Sequence, residues 1–170
     1  MASADILIDS FNRVRDAVHP LTGGLSREQL AFRAGAETSN SMAWLIWHLT
    51  RVQDSQVADL AGSEQIWTGQ GYFDRFGLSL PVEDTGYGHD SDAVDSVVAD
   101  PALLVEYFEA VHARTLEYLD TLSESDLDRI IDTRWDPPVT VAVRLVSTID
   151  DDLQHAGQAA FARGLLPEIE

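Results

Sequence analysis

The sequence contains no cysteine and no lysine, and all 11 of its basic side chains are arginine. Without cysteine, disulfides, thiolate-ligated zinc and a protein thiol nucleophile are excluded, and nothing points to an oxidising compartment. Any thiol chemistry must therefore use a thiol from solution. No run approaches the ~20 apolar residues that a membrane helix needs, and the opening Met1-Ala-Ser-Ala-Asp-Ile6 has no basic stretch ahead of an apolar one. A soluble, cytoplasmic protein without a membrane partner is expected. Positive charge is scarce as well: 29 acidic residues against 11 basic ones leave a net charge of −18, which repels phosphate backbones and argues against nucleic acid. Between Arg75 and Arg114 there is no cation, while Glu83, Asp84, Asp90, Asp92, Asp95 and Asp100 accumulate, as expected of a solvated loop face.

What is present is helical periodicity. The 170 residues suffice for one compact domain with its own core, and no composition shift divides them, so residues 1–170 read as a single domain. Ile6, Leu7, Phe11, Val14 and Val18 mark a first helix over residues 4–20 with Ser3 as its cap, and Ser26 with Gln29 form a capping box opening a short connecting helix. Met42, Leu45, Ile46, Leu49, Val52, Gln56 and Leu60 trace the stripe of a second long helix over 41–60. The 39 residues from Gly62 to Asp100 lose the pattern among glycines, aromatics and acids and hold at most one short helix, near 92–98. Asp100-Pro101 opens a third helix. Leu122-Ser-Glu-Ser-Asp-Leu127 then echoes Leu25-Ser-Arg-Glu-Gln-Leu30, suggesting two related halves. A last helix runs from about Thr140 to a stop at Gly164. No segment reads as a strand, because the β-branched run from Val139 continues into the helical pattern. The expected fold is all-α, an antiparallel four-helix bundle with a long crossover between helices two and three.

The last helix carries Asp150, Asp151 and Asp152 in its middle. Aspartate is a poor interior helix residue because its carboxylate competes for nearby backbone groups, so three in a row require a reason. Asp151 lies four residues before His155 and Asp152 three before it, and either spacing puts a carboxylate beside an imidazole on one helix face. Among the other histidines, His19 sits at a helix end, His89 in the acidic loop, and His112 on the third helix two residues before Arg114. His48 flanks the apolar stripe of the second helix and faces inward. Bundles build metal sites from inward side chains on facing helices, so His48 with Asp151 (or Asp152) and His155 makes a two-histidine, one-carboxylate ligand set.

Trp44-Leu-Ile-Trp-His48 with Arg51, Asp151-xxx-His155-Ala-Gly-Gln158, the two LSxxxL connectors and Trp135-Asp-Pro-Pro138 resemble the DinB-like superfamily, and within it the actinobacterial mycothiol-dependent S-transferase branch. The resemblance spans essentially the whole chain. Its most specific part is the His-x-Gly-Gln ending; where the family usually has histidine four residues earlier and arginine after the second histidine, this chain has Asp151 and Ala156. Related mycothiol-dependent maleylpyruvate isomerases are similar in using histidine, carboxylate and histidine. The resemblance implies a four-helix bundle holding a divalent metal, often zinc, through His48, Asp151 and His155, and frequently a homodimer.

Three protein ligands leave a metal position open, as in catalytic sites. A low-molecular-weight thiol there, mycothiol by resemblance, is expected to lose its proton and attack an electrophile or xenobiotic, or to isomerise a double bond. Around this site Gln158, Gln53 or Asp54 are candidates to orient the imidazoles, and Arg51 to meet a polar group of the thiol or to form a surface ion pair. Trp47, with Trp67, Tyr72, Phe73 and Phe76, is a candidate to wall the mouth, or to serve as core and loop anchor. The contrasting expectation is a metal-binding stress or interaction protein without turnover.

Overall fold

The computed structural model describes residues 3–35 and 38–167. Nine α-helices and one strand pair occur among them, in the order α1 (Ser3–Val18), a 3-10 turn (His19–Leu21), α2 (Arg27–Ala31), α3 (Met42–Ala61), α4 (Ile66–Gly69), α5 (Tyr72–Phe76), α6 (Ser91–Ser96), α7 (Pro101–Leu119), α8 (Glu124–Leu127), β1 (Ile130–Asp132), β2 (Val139–Thr140) and α9 (Val141–Arg163). No helix among the described residues is long and apolar enough to cross a membrane.

The four long helices form the bundle, with α3 against α9 and α7, and α1 against the same two. Contacts between side chains fix their directions. Arg144 reaches Gln56 while His155 meets His48, so α9 runs antiparallel to α3. Arg15 pairs with Glu109 and His112 with Asn12, so α7 opposes α1. Arg163, at the end of α9, donates to the carbonyls of Leu21 and Gly23 just past the end of α1, so those two helices are parallel. The order is up-down-down-up, and the crossover between α3 and α7 is what returns the chain parallel to α3.

Local chemistry accounts for the boundaries. Ser41 and Thr140 accept from the backbone N–H of Trp44 and Val143 and cap α3 and α9. Both LSxxxL connectors fold alike: Ser26 with Gln29 and Ser123 with Asp126 each close a capping box on a short helix. Asp100 occupies the cap position of α7 without a side-chain cap hydrogen bond, leaving Pro101 as the start signal. Ser3 is the first residue of α1 and donates to Glu124 instead of capping.

Two features depart from the sequence expectation. β1 and β2 pair antiparallel, Ile130 with Thr140 and Asp132 with Val139, and Thr140 is at once the end of a strand and the cap of α9. Runs of three and two residues are too short for a period of two to register. The crossover also holds α4 and α5 besides the expected α6. Trp67, Tyr72 and Phe76 pack there around Tyr107 with ring centroids 4.9 to 5.8 Å apart, burying the outer side of α3. This is why α3, read as an amphipathic stripe, is buried on nearly every side from Met42 to Arg51.

Candidate metal centre

α3 and α9 each bring one half of the site. One ligand atom from each of His48, Asp151 and His155 lies within 4.8 Å of the other two, and His155 Nε2 stands 3.6 Å from Asp151 Oδ1. The imidazoles meet edge to face with centroids 4.7 Å apart. Each has its Nδ1 occupied. His48 Nδ1 donates to the carbonyl of Thr85, and His155 Nδ1 donates 3.0 Å to Gln158 Oε1. Both rings are thereby fixed in the tautomer whose Nε2 lone pair is free, the arrangement that metal-ligating histidines adopt. Asp151 Oδ2 is buried without a hydrogen-bond partner, a group that a cation would satisfy. The donor set fits a divalent metal.

Charge tunes the two imidazoles in opposite directions. Burial holds the His48 imidazole below its usual pKa, outweighing the Thr85 hydrogen bond, so the ring favours the neutral form that binds metals. For His155 burial also acts downward, but contact with Asp151 and the bond to Gln158 outweigh it and raise the pKa. Asp152 turns elsewhere. It is wholly buried, neither oxygen has a partner, and burial followed by the proximity of Asp151 pushes its carboxyl well above the usual range. Of the two registers open in the sequence, the structure joins Asp151 to the histidines.

The support behind His48 comes from the crossover, and sequence reasoning missed most of it. Trp44 stacks on His48 at 4.5 Å with the planes 11° apart and meets His155 edge-on at 6.0 Å. Its Nε1 donates 3.1 Å to His89 Nδ1, and His89 Nε2 donates 2.9 Å to Asp84 Oδ2. Asp84 in turn accepts 2.8 Å from the backbone N–H of Gly86; with His89 and Arg51, that bond outweighs burial and lowers its pKa. Gly86 has φ +93°, and a Cβ there would lie 2.7 Å from His48 Nδ1 and 3.1 Å from the rings of Trp44 and Trp47, so only glycine fits. His89, set aside as a loop residue, thus belongs to a part-buried chain behind the site. The spacing of Trp44 and His48, four apart on one helix, was the available signal for Trp44.

The remaining candidates fall elsewhere. Arg51 is fully buried and is neither a surface ion pair nor open to a ligand: it donates to Asp84 O (3.1 Å), Gln65 Oε1 (2.8 Å), Tyr107 Oη (3.2 Å) and Val82 O (3.4 Å), with Asp54 at 3.6 Å. Asp54 does not touch His48; it accepts from the N–H groups of Ile66 and Trp67 at the start of α4. Gln53 donates to Thr115. Trp47, Trp67, Tyr72 and Phe76 are buried core residues that anchor the crossover, not mouth residues. Gln158 does orient an imidazole, and it also lines a cleft of about 750 Å³ between the α2–α3 connection and the C-terminal half of α9.

The fold and this histidine–carboxylate pair of helices define a member of the DinB superfamily. The family model for the DinB superfamily matches residues 10–159, and the chain belongs to that family. A crystal structure of a conserved protein from Enterococcus faecalis is 34% identical, superposes with a TM-score of 0.91, and is covered over 98% of both chains. No curated protein matches the chain.

Proposed function

We propose that this chain is a metal-dependent thiol S-transferase, with mycothiol the donor that the sequence resemblance favours and an electrophilic small molecule the acceptor. One observation carries the reading: a three-residue ligand set, part-exposed at Asp151 (33%) and His155 (17%), in a chain without a thiol of its own. Among the described residues no fourth side chain joins the set, which favours a site that keeps a position for a ligand over a closed structural one.

His48, Asp151 and His155 would hold the ion; zinc suits two imidazoles and a carboxylate. Its chemical contribution is to lower the pKa of a thiol from ~8.5 so that the nucleophilic thiolate exists at neutral pH. The chain's own part is positional. Thr85 and Gln158 hold the two imidazoles with Nε2 presented, and Trp44 backs both rings and keeps water from one side. The thiol's proton leaves to solvent past the part-exposed Asp151, a sulfur–carbon bond forms to the electrophile, and the leaving group departs with the bonding pair. Addition followed by elimination at a double bond gives isomerisation from the same start.

Conjugation to a generic electrophile is followed with mycothiol, glutathione and no thiol, each with and without chelator. Turnover that needs both metal and thiol, fastest with mycothiol, is expected. Equal rates in every sample contradict the transferase and favour a metal-binding protein without turnover, and activity on maleylpyruvate alone redirects the assignment to an isomerase.

A further inference from the structure

A second cavity lies between the two helices that carry the metal ligands. Gln56 meets Arg144 toward the C-terminal end of α3 and the N-terminal end of α9, as His48 meets His155 at the other end of the shared groove. The cavity there encloses about 390 Å³, and its polar walls are Ser55, Gln56, Asp59, Ser63, Gln65 and Arg144. Arg144 precedes Asp151 by seven residues, about 10 Å along α9, so this cavity is separate from the metal centre.

Its two charges are held apart. Arg144 donates 2.5 Å to Gln56 Oε1, a neutral partner, and among the described residues no carboxylate comes within 4.0 Å of its guanidinium. Asp132, which lies within range of its charge, gives both oxygens to Arg134. Asp59 has no side-chain hydrogen-bond or ion-pair partner among the described residues, Arg144 included. Each charge also sits at the helix end that disfavours it: Asp59 two residues before the last of α3, where the partial charge is negative, and Arg144 fourth in α9, where it is positive. The neutral groups are open as well. Gln56 and Gln65 commit their amide oxygens to Arg144 and Arg51, which leaves two NH2 groups on the wall without a partner, beside the hydroxyls of Ser55 and Ser63.

We propose that this cavity binds the zwitterionic head of an α-amino acid. The carboxylate takes the free N–H groups of Arg144 and the amide of Gln56, and the ammonium takes Asp59 and the seryl hydroxyls, so each ligand charge meets both its opposite and the helix end that favours it. A ligand of one sign does not satisfy the site. A simple anion meets Asp59 as a like charge and leaves it unmatched, and a simple cation does the same at Arg144. A free amino acid and the free head of a γ-glutamyl compound share the chemistry required. The proposal is independent of the thiol-transfer reading, which concerns the other end of the groove.

NMR titration of isotope-labelled, zinc-loaded protein tests it with L-glutamine, with L-glutaminamide, which lacks the carboxylate, and with N-acetyl-L-glutamine, which lacks the ammonium. Glutamine is expected to shift the backbone amides around Ser55, Asp59, Ser63 and Arg144 with a dissociation constant of about 1 mM or below, and each analogue to bind about tenfold or more weakly. Arg144→Gln is expected to remove the advantage of glutamine over L-glutaminamide, and Asp59→Asn its advantage over N-acetyl-L-glutamine, with metal content and melting temperature measured alongside. γ-L-Glutamylglycine separates the two sources: binding equal to that of glutamine assigns the site to the head of a larger molecule, and binding about tenfold weaker assigns it to a free amino acid. No shift at about 20 mM glutamine, equal binding of glutamine and either analogue, or shifts confined to the metal centre and unchanged in both variants overturns the proposal. Should Arg144→Gln not fold, Asp59→Asn, at an exposed position, carries the test by itself.

Discussion

Three adjacent aspartates on α9 meet three environments. Asp150 is exposed and accepts from Gln154, Asp151 faces His155, and Asp152 is wholly buried. The sequence placed a carboxylate beside His155 but left Asp151 and Asp152 equivalent, because spacings of four and three both lie on one helix face. Rotation of α9 against α3 decides between them, and that depends on packing across the bundle. The opposite pKa shifts of His48 and His155 give an order of protonation in the metal-free protein. A raised pKa holds its proton to higher pH, so as pH falls through the ordinary histidine value near ~6.5, His155 charges first and His48 last. Protons compete with metal for the same nitrogens, so metal affinity should begin to fall with the His155 titration. Nitrogen-resolved NMR checks the order, and His48 protonating first would contradict it. Gly86 is the other residue-scale test. Gly86→Ala is expected to strain a left-handed position and displace His48, destabilising the fold by roughly 1–3 kcal/mol and lowering metal content; denaturant unfolding with elemental analysis would expose an unaffected variant.

At the scale of elements, the four long helices were legible because each repeats its apolar residues over many turns, and the capping box at Ser26 was legible as local chemistry, whereas the one at Ser123 showed only as an echo of the first LSxxxL connector. The crossover was not. Its Asp84-Thr-Gly-Tyr-Gly88 segment signals a turn, but nothing local says that the Thr85 carbonyl lands on His48. That placement is made by Arg51, whose guanidinium holds the carbonyls of Val82 and Asp84, and by the Trp44–His89–Asp84 chain. Arg51 was visible in the sequence as three residues past His48, which suggested a ligand contact; its burial depends on α4 and α5 covering α3, and those helices carry too few turns to show a period. Arg51→Met leaves Asp54 buried beside Tyr107 without its cation and frees the crossover. The expected loss is about 3–5 kcal/mol, read by chemical denaturation, with weaker metal binding in whatever folded protein remains. A loss below 1 kcal/mol would show that the crossover does not depend on this anchor.

On the scale of the whole molecule, metal and fold are coupled because the ligands come from α3 and α9, far apart in the chain, and assemble only in the bundle. An ion that binds the folded state alone stabilises it by about 4 kcal/mol at a thousandfold excess over its dissociation constant. For a chain of 170 residues this corresponds to roughly 10 °C in melting temperature, which chelator should remove. Calorimetric scans with and without chelator test this, and coincident scans of demonstrably loaded and stripped protein would contradict it. The net charge of −18 assists the approach of a cation and disfavours anionic partners over the whole surface. The central claim is that His48, Asp151 and His155 hold one divalent metal, and elemental analysis of the purified protein and its single variants tests it most directly. The account predicts about one ion per chain in wild type and in Asp152→Ala, and its loss in His48→Ala, Asp151→Ala and His155→Ala with the fold retained. Unchanged metal in folded His48→Ala and His155→Ala, or loss in Asp152→Ala with retention in Asp151→Ala, would contradict it.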